Sequence, residues 1–319
     1  FSYHLNALAS LDPKTSLNEL ASEWFHSHRF PEKRMAFVNS RLALSFEEAG
    51  ETPLSGGIST QDLSGPLPSA VVGILLATDV QGDRIETSAV AVTDQKPLVL
   101  DHVVLPGDPT KGEVWARLDR LRGEFGERIR EDGSRVPILL HVVDANYLSE
   151  PVHSYTNARR KMGVLAIRGS PNARIGDSVI KRRRVRAHRG SDRAVELNVN
   201  ELKLRLASRL ADPGGVIFDS RLDETYYEQL RSERLITKWA NGRPSKVWKR
   251  IEGKDAEALD CFVYVLGAIE ILGGWERVAS LYTNERTIPT EEPASGGPEE
   301  GETTRHPVDR SQQISRLFS

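Results

Sequence analysis

Apolar positions along this chain fall into two periods, and their alternation predicts an α/β fold. Val71–Asp79 (VVGILLATD) is apolar almost without interruption, the pattern of a strand buried on both faces. Gln81, Gly82 and Asp83 make a turn, and Arg84–Thr93 then alternates, with Ile85, Ala89 and Ala91 on one side. Leu98–Leu105 is a third strand, which completes an antiparallel meander. Lys111–Arg130 changes to helical spacing through Val114, Leu118, Leu121, Phe125 and Ile129. Pro137–Asp144 (PILLHVVD) is a short buried strand, Val152–Lys161 a helix and Val164–Arg168 a further strand. The helical crossover requires the fourth strand to run parallel to one already in the sheet.

Beyond residue 170 the periods weaken. Residues 171–193 read as a basic, extended insertion. Val195–Val199 and Gly215–Phe218 are short strands, and Glu201–Leu210 and Asp223–Arg231 short helices. Leu235–Trp239 and Val247–Ile251 flank Asn241-Gly242, a favoured hairpin turn. Asp255–Leu272 is a strongly apolar helix. At the front, Ser16–Phe25 places Leu17, Leu20, Trp24 and Phe25 at helical spacing, with Ser16 as N-cap.

Composition then sets the boundaries. Residues 1–50 form a helical arm with too little apolar surface for its own core. Residues 51–69 are rich in Gly, Ser and Pro and read as a linker. The main domain spans 70–285, and 286–319 read as a disordered tail. The chain begins with Phe and reads as a piece of something longer. FSYHLNALAS lacks the layout of a signal peptide, and no run approaches the roughly 18 apolar residues of a membrane span. One cysteine, Cys261, excludes an intramolecular disulfide and a cysteine-rich zinc site.

Net charge is −2, so the whole chain does not advertise a polyanionic partner. Its distribution does. Arg159, Arg160, Lys161, Arg168, Lys181, Arg182, Arg183, Arg184 and Arg186 concentrate positive charge in the middle of the chain, where they would grip a phosphate backbone. A solvated loop is the plainer reading of Lys181–Arg186 (KRRRVR).

Three aspartates carry the candidate chemistry. Asp79 and Asp144 end two apolar strands, and if those strands are parallel neighbours both acids share the edge where ligands bind in open α/β sheets. Asp260 sits on the apolar helix, three residues after Glu257, so both acids project from one face. Hard divalent cations take such oxygen ligands, which suits phosphodiester hydrolysis. Singly, an Asp at a strand end is a turn former or cap. Asp83 reads as a turn residue, and His141 and His153 as structural histidines. No P-loop, G-x-S-x-G elbow, H-E-x-x-H or dinucleotide fingerprint is present.

Six ordered blocks give the chain a family likeness. They are SYHLNAL (Ser2–Leu8), PEKRMAFVNSRLALSFEEAGE (Pro31–Glu51), ATDVQGDRIE (Ala77–Glu86), LPGDPTKGEVWARLD (Leu105–Asp119), RLDETYYEQLRSERLITKW (Arg221–Trp239) and AEALDCFVYVLGA (Ala256–Ala268). In them the chain resembles the C-terminal part of the large terminase subunit of lambda-type tailed phages. The resemblance implies an RNase H-like mixed β-sheet flanked by helices. It implies a nuclease that cuts concatemeric double-stranded viral DNA in the host cell cytoplasm during packaging, and an arm that is the tail of the ATPase domain. It makes Asp79, Asp144 and Asp260 the metal-binding and catalytic acids, using two Mg²⁺ or Mn²⁺ ions. It names the small terminase subunit as partner, and the C-terminal tail as a dock for the portal protein; no membrane is implied. The family's usual IDSG is here VDANYLSEP (Val143–Pro151), and Ala256 replaces its usual Asn, which leaves Glu257 an accessory metal candidate. The alternatives are a Holliday-junction resolvase-like nuclease and a non-catalytic DNA-binding or docking module.

Overall fold

The computed structural model describes residues 58–181, 194–240 and 243–286, and before them 6–10, 12, 15–27, 36–38, 40–43 and 47–48. Its main sheet has nine strands. They are β1 (Ser59–Gln61), β2 (Gly73–Val80), β3 (Arg84–Val92), β4 (Pro97–Pro106), β5 (Ile138–Asp144), β6 (Val164–Gly169), β7 (Ile180–Lys181), β8 (Val195–Leu197) and β9 (Ile217–Asp219). Their spatial order is β1-β9-β4-β3-β2-β5-β6-β8-β7. The meander β2–β3–β4 is antiparallel, as its short turns dictate. After helix α1 (Gly112–Gly126) the chain returns as β5, parallel to β2, and after α2 (Ser149–Ala158) as β6, parallel to β5. This is the mixed α/β sheet flanked by helices that the periodicity predicted.

Alternation along the strands sorts the core. Ile74 and Leu76 point to one face, where Val114, Leu118, Leu121 and Phe125 of α1 and Val152 and Tyr155 of α2 cover them. Leu75 and Ala77 point to the other face, covered by α3 (Val199–Ala211), α4 (Glu224–Leu230) and α5 (Glu257–Ile271). α5 buries Ala258, Leu259 and Cys261–Ile269, as a helix apolar all round must. A short helix, α6 (Trp275–Arg286), follows and was not foreseen from the sequence. Among the described residues no single helix is long and apolar enough to cross a membrane.

Two boundaries differ from the expectations. Residues 58–69, read as linker, belong to the sheet: β1 pairs in parallel with β9, and Leu63 and Leu67 are fully buried. Gly, Ser and Pro set chain flexibility in isolation, but two leucines with a core to enter decide otherwise. The hairpin also changes company. The described residues of Phe1–Thr52 and Glu233–Ile251 form one compact unit, and those of Pro53–Ser232 and Glu252–Ser319 another. In the first unit strands Glu233–Ala240 and Arg243–Arg250 pair antiparallel, and Glu47–Glu48 pairs with Lys238 and Thr237. Helix Leu17–Ser27 starts at Ser16, whose Oγ accepts from Glu19 N at 3.4 Å. The expected Asn241-Gly242 turn, residues 182–193 and the tail from 287 lie outside the described residues.

Asp219 pins the front segment to the sheet. Its fully buried carboxylate accepts from Leu63 N at 3.1 Å, from Arg221 N at 2.8 Å and from the Arg221 guanidinium at 2.8 and 2.9 Å. Burial pushes this carboxyl up, but the Arg221 and Leu63 donors outweigh it and hold it below its ordinary 3.8. A lowered folded-state pKa contributes stability that is fully present above the unfolded value and lost as pH falls through the folded one. Asp219→Ala is therefore expected to cost about 1–3 kcal/mol at pH 7, and less at pH 3, in urea unfolding. An equal loss at both pH values would refute the ionic part of the pin.

Candidate metal centre

Parallel register brings Asp79 and Asp144 to one edge. Thr78 lies beside Val143, so the next residue of each strand carries its acid to the C-terminal end of a neighbouring strand. Both are buried, at 6% and 7% exposure. α5 crosses the face to which Asp79 points, and Cys261 donates its thiol to Glu86 O at 3.4 Å. That packing delivers Asp260 and Glu257, from the first turn of α5, to the same acids.

Electrostatics report the convergence. Burial, then the charge of Asp144, pushes Asp79 up to about 7; Asp260 and Glu257 add to the rise, and the Gln81 side-chain amide opposes it. Burial also pushes Asp144 up to about 6, with Asp260 adding, against the Tyr264 hydroxyl and the Asn146 N–H. Asp79 is thus the member that senses all three other acids. Asp219, equally buried at the end of another strand, moves the other way because its partner is Arg221. Strand-end aspartates here are of two kinds, one held by a cation and one crowded by anions.

Each acid is held at present by its own donor. Gln81 Nε2 donates to Asp79. Tyr264 Oη donates to Asp144 at 3.1 Å and Asn146 N at 3.2 Å. Lys203 Nζ lies 3.4 Å from Asp260, and Glu257 accepts from Ala256 N at 2.9 Å. Among the described residues no three His, Cys, Asp or Glu side chains are close enough to hold a metal ion as they stand. Like charges this close repel, and each of the four carboxylates meets a donor of its own. Neutral donors on buried carboxylates leave negative charge uncompensated at Asp79 and Asp144, which suits a divalent cation. The residues fit such a group by chemistry, and a side-chain rearrangement is needed to close it.

Several supporting residues were not anticipated from the sequence. Glu86 pairs in register with Asp79 and is 2% exposed. Arg84 Nε donates to it at 2.6 Å and reaches Glu257 at 3.6 Å. On the other side Glu86 meets His102 Nε2 at 3.0 Å, and His102 Nδ1 meets Ser88 Oγ at 2.9 Å. Burial pushes Glu86 up, but His102 and Arg84 outweigh it and hold it low, so Glu86 is an ionised brace. Alternating polar residues in Arg84–Ser88 were the signal available. Gly169 ends β6 against this edge; a Cβ there would meet Val199 Cγ1 at 2.9 Å, Tyr264 Oη at 3.3 Å and Asn146 Nδ2 at 3.4 Å. Asp83 is an exposed turn residue paired with Arg84 at 3.1 Å. His141 is fully buried on Thr78 Oγ1 at 2.9 Å, and burial pushes it down to about 3, so it is a neutral structural group.

The basic residues divide. Arg159, Arg160 and Lys161 follow α2, which carries the chain back to the start of β6. His141 pairs with Val164, three residues below the level of Asp144 and Ile167, so this group lies roughly 10 Å down the sheet from the acids. Arg159 is moreover chelated by Asp119, at 2.7 Å from Nε, and lies 4.1 Å over the Tyr155 ring. The crossover thus sets Arg159, Arg160 and Lys161, expected to grip a phosphate backbone, toward the opposite end of the strands from the acids. Arg168 and Lys181 lie at the correct edge, both level with Glu196 of β8. Arg168 donates to Ser149 Oγ at 2.7 Å and Lys181 lies 3.8 Å from Asp177. Arg182, Arg183, Arg184 and Arg186 lie outside the described residues.

Comparison with known proteins gives related matches. The large terminase subunit of Escherichia phage lambda is 25% identical over 83% of this chain and 43% of its own length. That of Enterobacteria phage P21 is 23% identical over 88% of this chain and 46% of its own. The chain thus spans about half the length of these relatives. Among solved structures, the large terminase nuclease of thermophilic phage G20c with bound magnesium is 11% identical, with a TM-score of 0.42 over 68% of this chain and 97% of its own. The nuclease domain of the SPP1 large terminase with bound Mn is 13% identical, with a TM-score of 0.36 over 68% and 99%. Structural likeness at that level carries no argument. The sequence match does: with residues 1–277 matched, this chain belongs to the family described as terminase large subunit gpA, endonuclease domain.

Proposed function

We propose that this chain is a metal-dependent endonuclease domain that hydrolyses phosphodiester bonds of concatemeric double-stranded viral DNA during genome packaging, in the host cell cytoplasm. The observation that carries the reading is the buried pair Asp79 and Asp144 at the ends of neighbouring parallel strands, with the charges of Asp144, Asp260 and Glu257 all felt by Asp79. Buried carboxylates of like charge are unfavourable in a fold unless a cation uses them. Mg²⁺ or Mn²⁺, two ions in all, is the fitting cofactor for an all-oxygen donor set. When bound, such ions supply positive charge to the scissile phosphate and lower the pKa of water.

The chain's own residues do the rest. Asp79, Asp144 and Asp260 would hold the ions, with Asp79 the acid that feels the charge of the other three, and Glu257, restrained by Arg84, would be an accessory. The Tyr264 hydroxyl and Asn146 N–H hold the Asp144 carboxylate in orientation. Arg168, Lys181 and the basic run Arg182, Arg183, Arg184 and Arg186 grip the DNA backbone. Such contacts position the duplex and weaken with salt but do not read sequence. Site choice then falls to a partner, the small terminase subunit, and the C-terminal tail docks on the portal protein.

Asp79→Ala and Asp260→Ala are expected to lower plasmid nicking in Mg²⁺ or Mn²⁺ at least about a thousandfold, about 4 kcal/mol of barrier, with folding and DNA binding retained. Full activity in either variant would contradict the assignment. In metal-free protein, Asp79→Asn removes a buried charge from a repelling group, so its urea midpoint is expected to rise. Mn²⁺ at a hundred times its dissociation constant should stabilise the parent by about 2.7 kcal/mol and leave Asp79→Asn nearly unmoved. An equal Mn²⁺ response in both proteins would remove Asp79 from the metal site.

A further inference from the structure

Lys203 is a buried cation with no place in the scheme above. It stands on α3 in the row Val199, Leu202, Lys203, Leu206 and Leu210 that faces the core. Its side chain is 8% exposed, and its Nζ lies 3.4 Å from Asp260 Oδ1. An apolar residue fits such a position at no electrostatic cost, whereas a buried ammonium is expensive without a partner. The partner here is itself a candidate metal ligand.

The site's cations are divided unevenly. Arg84 serves Glu86 and Glu257, and Lys203 serves Asp260. Among the described residues the donors to Asp79 and Asp144 are neutral: Gln81, Tyr264 and backbone N–H groups. One end of the acidic group therefore has uncompensated charge, and the other already holds a fixed positive one. A divalent cation entering beside Asp79 and Asp144 gains the full attraction of both. One entering beside Asp260 meets the Lys203 ammonium as a competitor for the same oxygen and as a like charge.

We propose that Lys203 is a positioning residue that acts through Asp260 to make the two cation positions unequal, so that loading is ordered: first at Asp79 and Asp144, then, more weakly, at Asp260. This rests on the reading that these acids hold divalent cations. The side chain thus keeps Asp260 in place before the second ion arrives and sets the concentration at which it does.

Calorimetric titration of Mn²⁺ into the full chain tests this. The parent should show a tighter and a weaker step. Lys203→Met should tighten the weaker step about tenfold or more, with the tighter step unmoved, and Lys203→Arg should keep the parent pattern. Nicking by Lys203→Met should reach half its maximum at a correspondingly lower Mn²⁺ concentration. If Lys203→Met fails to fold, Asp260→Asn serves, and it should lose the weaker step alone. A weaker step that is unchanged or loosened in Lys203→Met, or a tighter step lost in Asp260→Asn, overturns the role of Lys203 and leaves the metal reading standing. Absence of any Asp79-dependent Mn²⁺ binding in the parent overturns both.

Discussion

Two parallel strands that end side by side in aspartate impose a constraint to which the surrounding side chains answer. Asp79 and Asp144 are both buried, and the charge of Asp144 raises the cost of ionising Asp79. A fold gains nothing from that arrangement in isolation. The surrounding groups limit its cost without cancelling it: a side-chain amide at Asp79, and a phenol and a backbone N–H at Asp144. Neutral donors steady a carboxylate while leaving its charge available. An arginine in the same place would have made the site inert, as Arg221 does for Asp219.

The next layer carries the compensation. Glu86 beside Asp79 would have added a further repelling charge, but Arg84 and His102 bind it from two sides and Ser88 fixes the imidazole. Arg84 also reaches Glu257, so one guanidinium restrains the accessory acid and neutralises the brace. The chain Ser88–His102–Glu86 has the order of a hydrolytic triad, but Ser88 is fully buried and Glu86 nearly so, which excludes a nucleophile's access. It holds Glu86 in place on the strand next to Asp79.

Position along the sheet, rather than position in the sequence, separates charges that serve the acids from charges that serve the fold. Arg159 follows Asp144 by fifteen residues, and the crossover returns it to the opposite end of the strands, where it closes on Asp119 and Tyr155. Lys203 and Asp260 are far apart in sequence, yet meet because α3 and α5 pack on the same face. The chain's place in the terminase endonuclease family follows from its sequence, whereas the cations that meet these acids follow from packing.

Much of this was legible in the amino-acid sequence because it depends on short-range periods. Continuous apolar runs named the strands ending at Asp79 and Asp144, helical spacing named α1 and α5, and the required crossover made β5 parallel to a strand already in the sheet, which the structure shows to be β2. What only the tertiary structure decided depends on partners distant in the chain. It drew Leu63 and Leu67 out of an apparent linker into the core, and gave the hairpin at 233–250 to the unit that holds the N-terminal arm. It sent Arg159 to one edge and Arg168 to the other, and it placed Lys203 on Asp260. A periodic pattern fixes which face of an element is buried. Which other element buries it is settled by long-range packing, and the charge state of a buried acid follows from that neighbour.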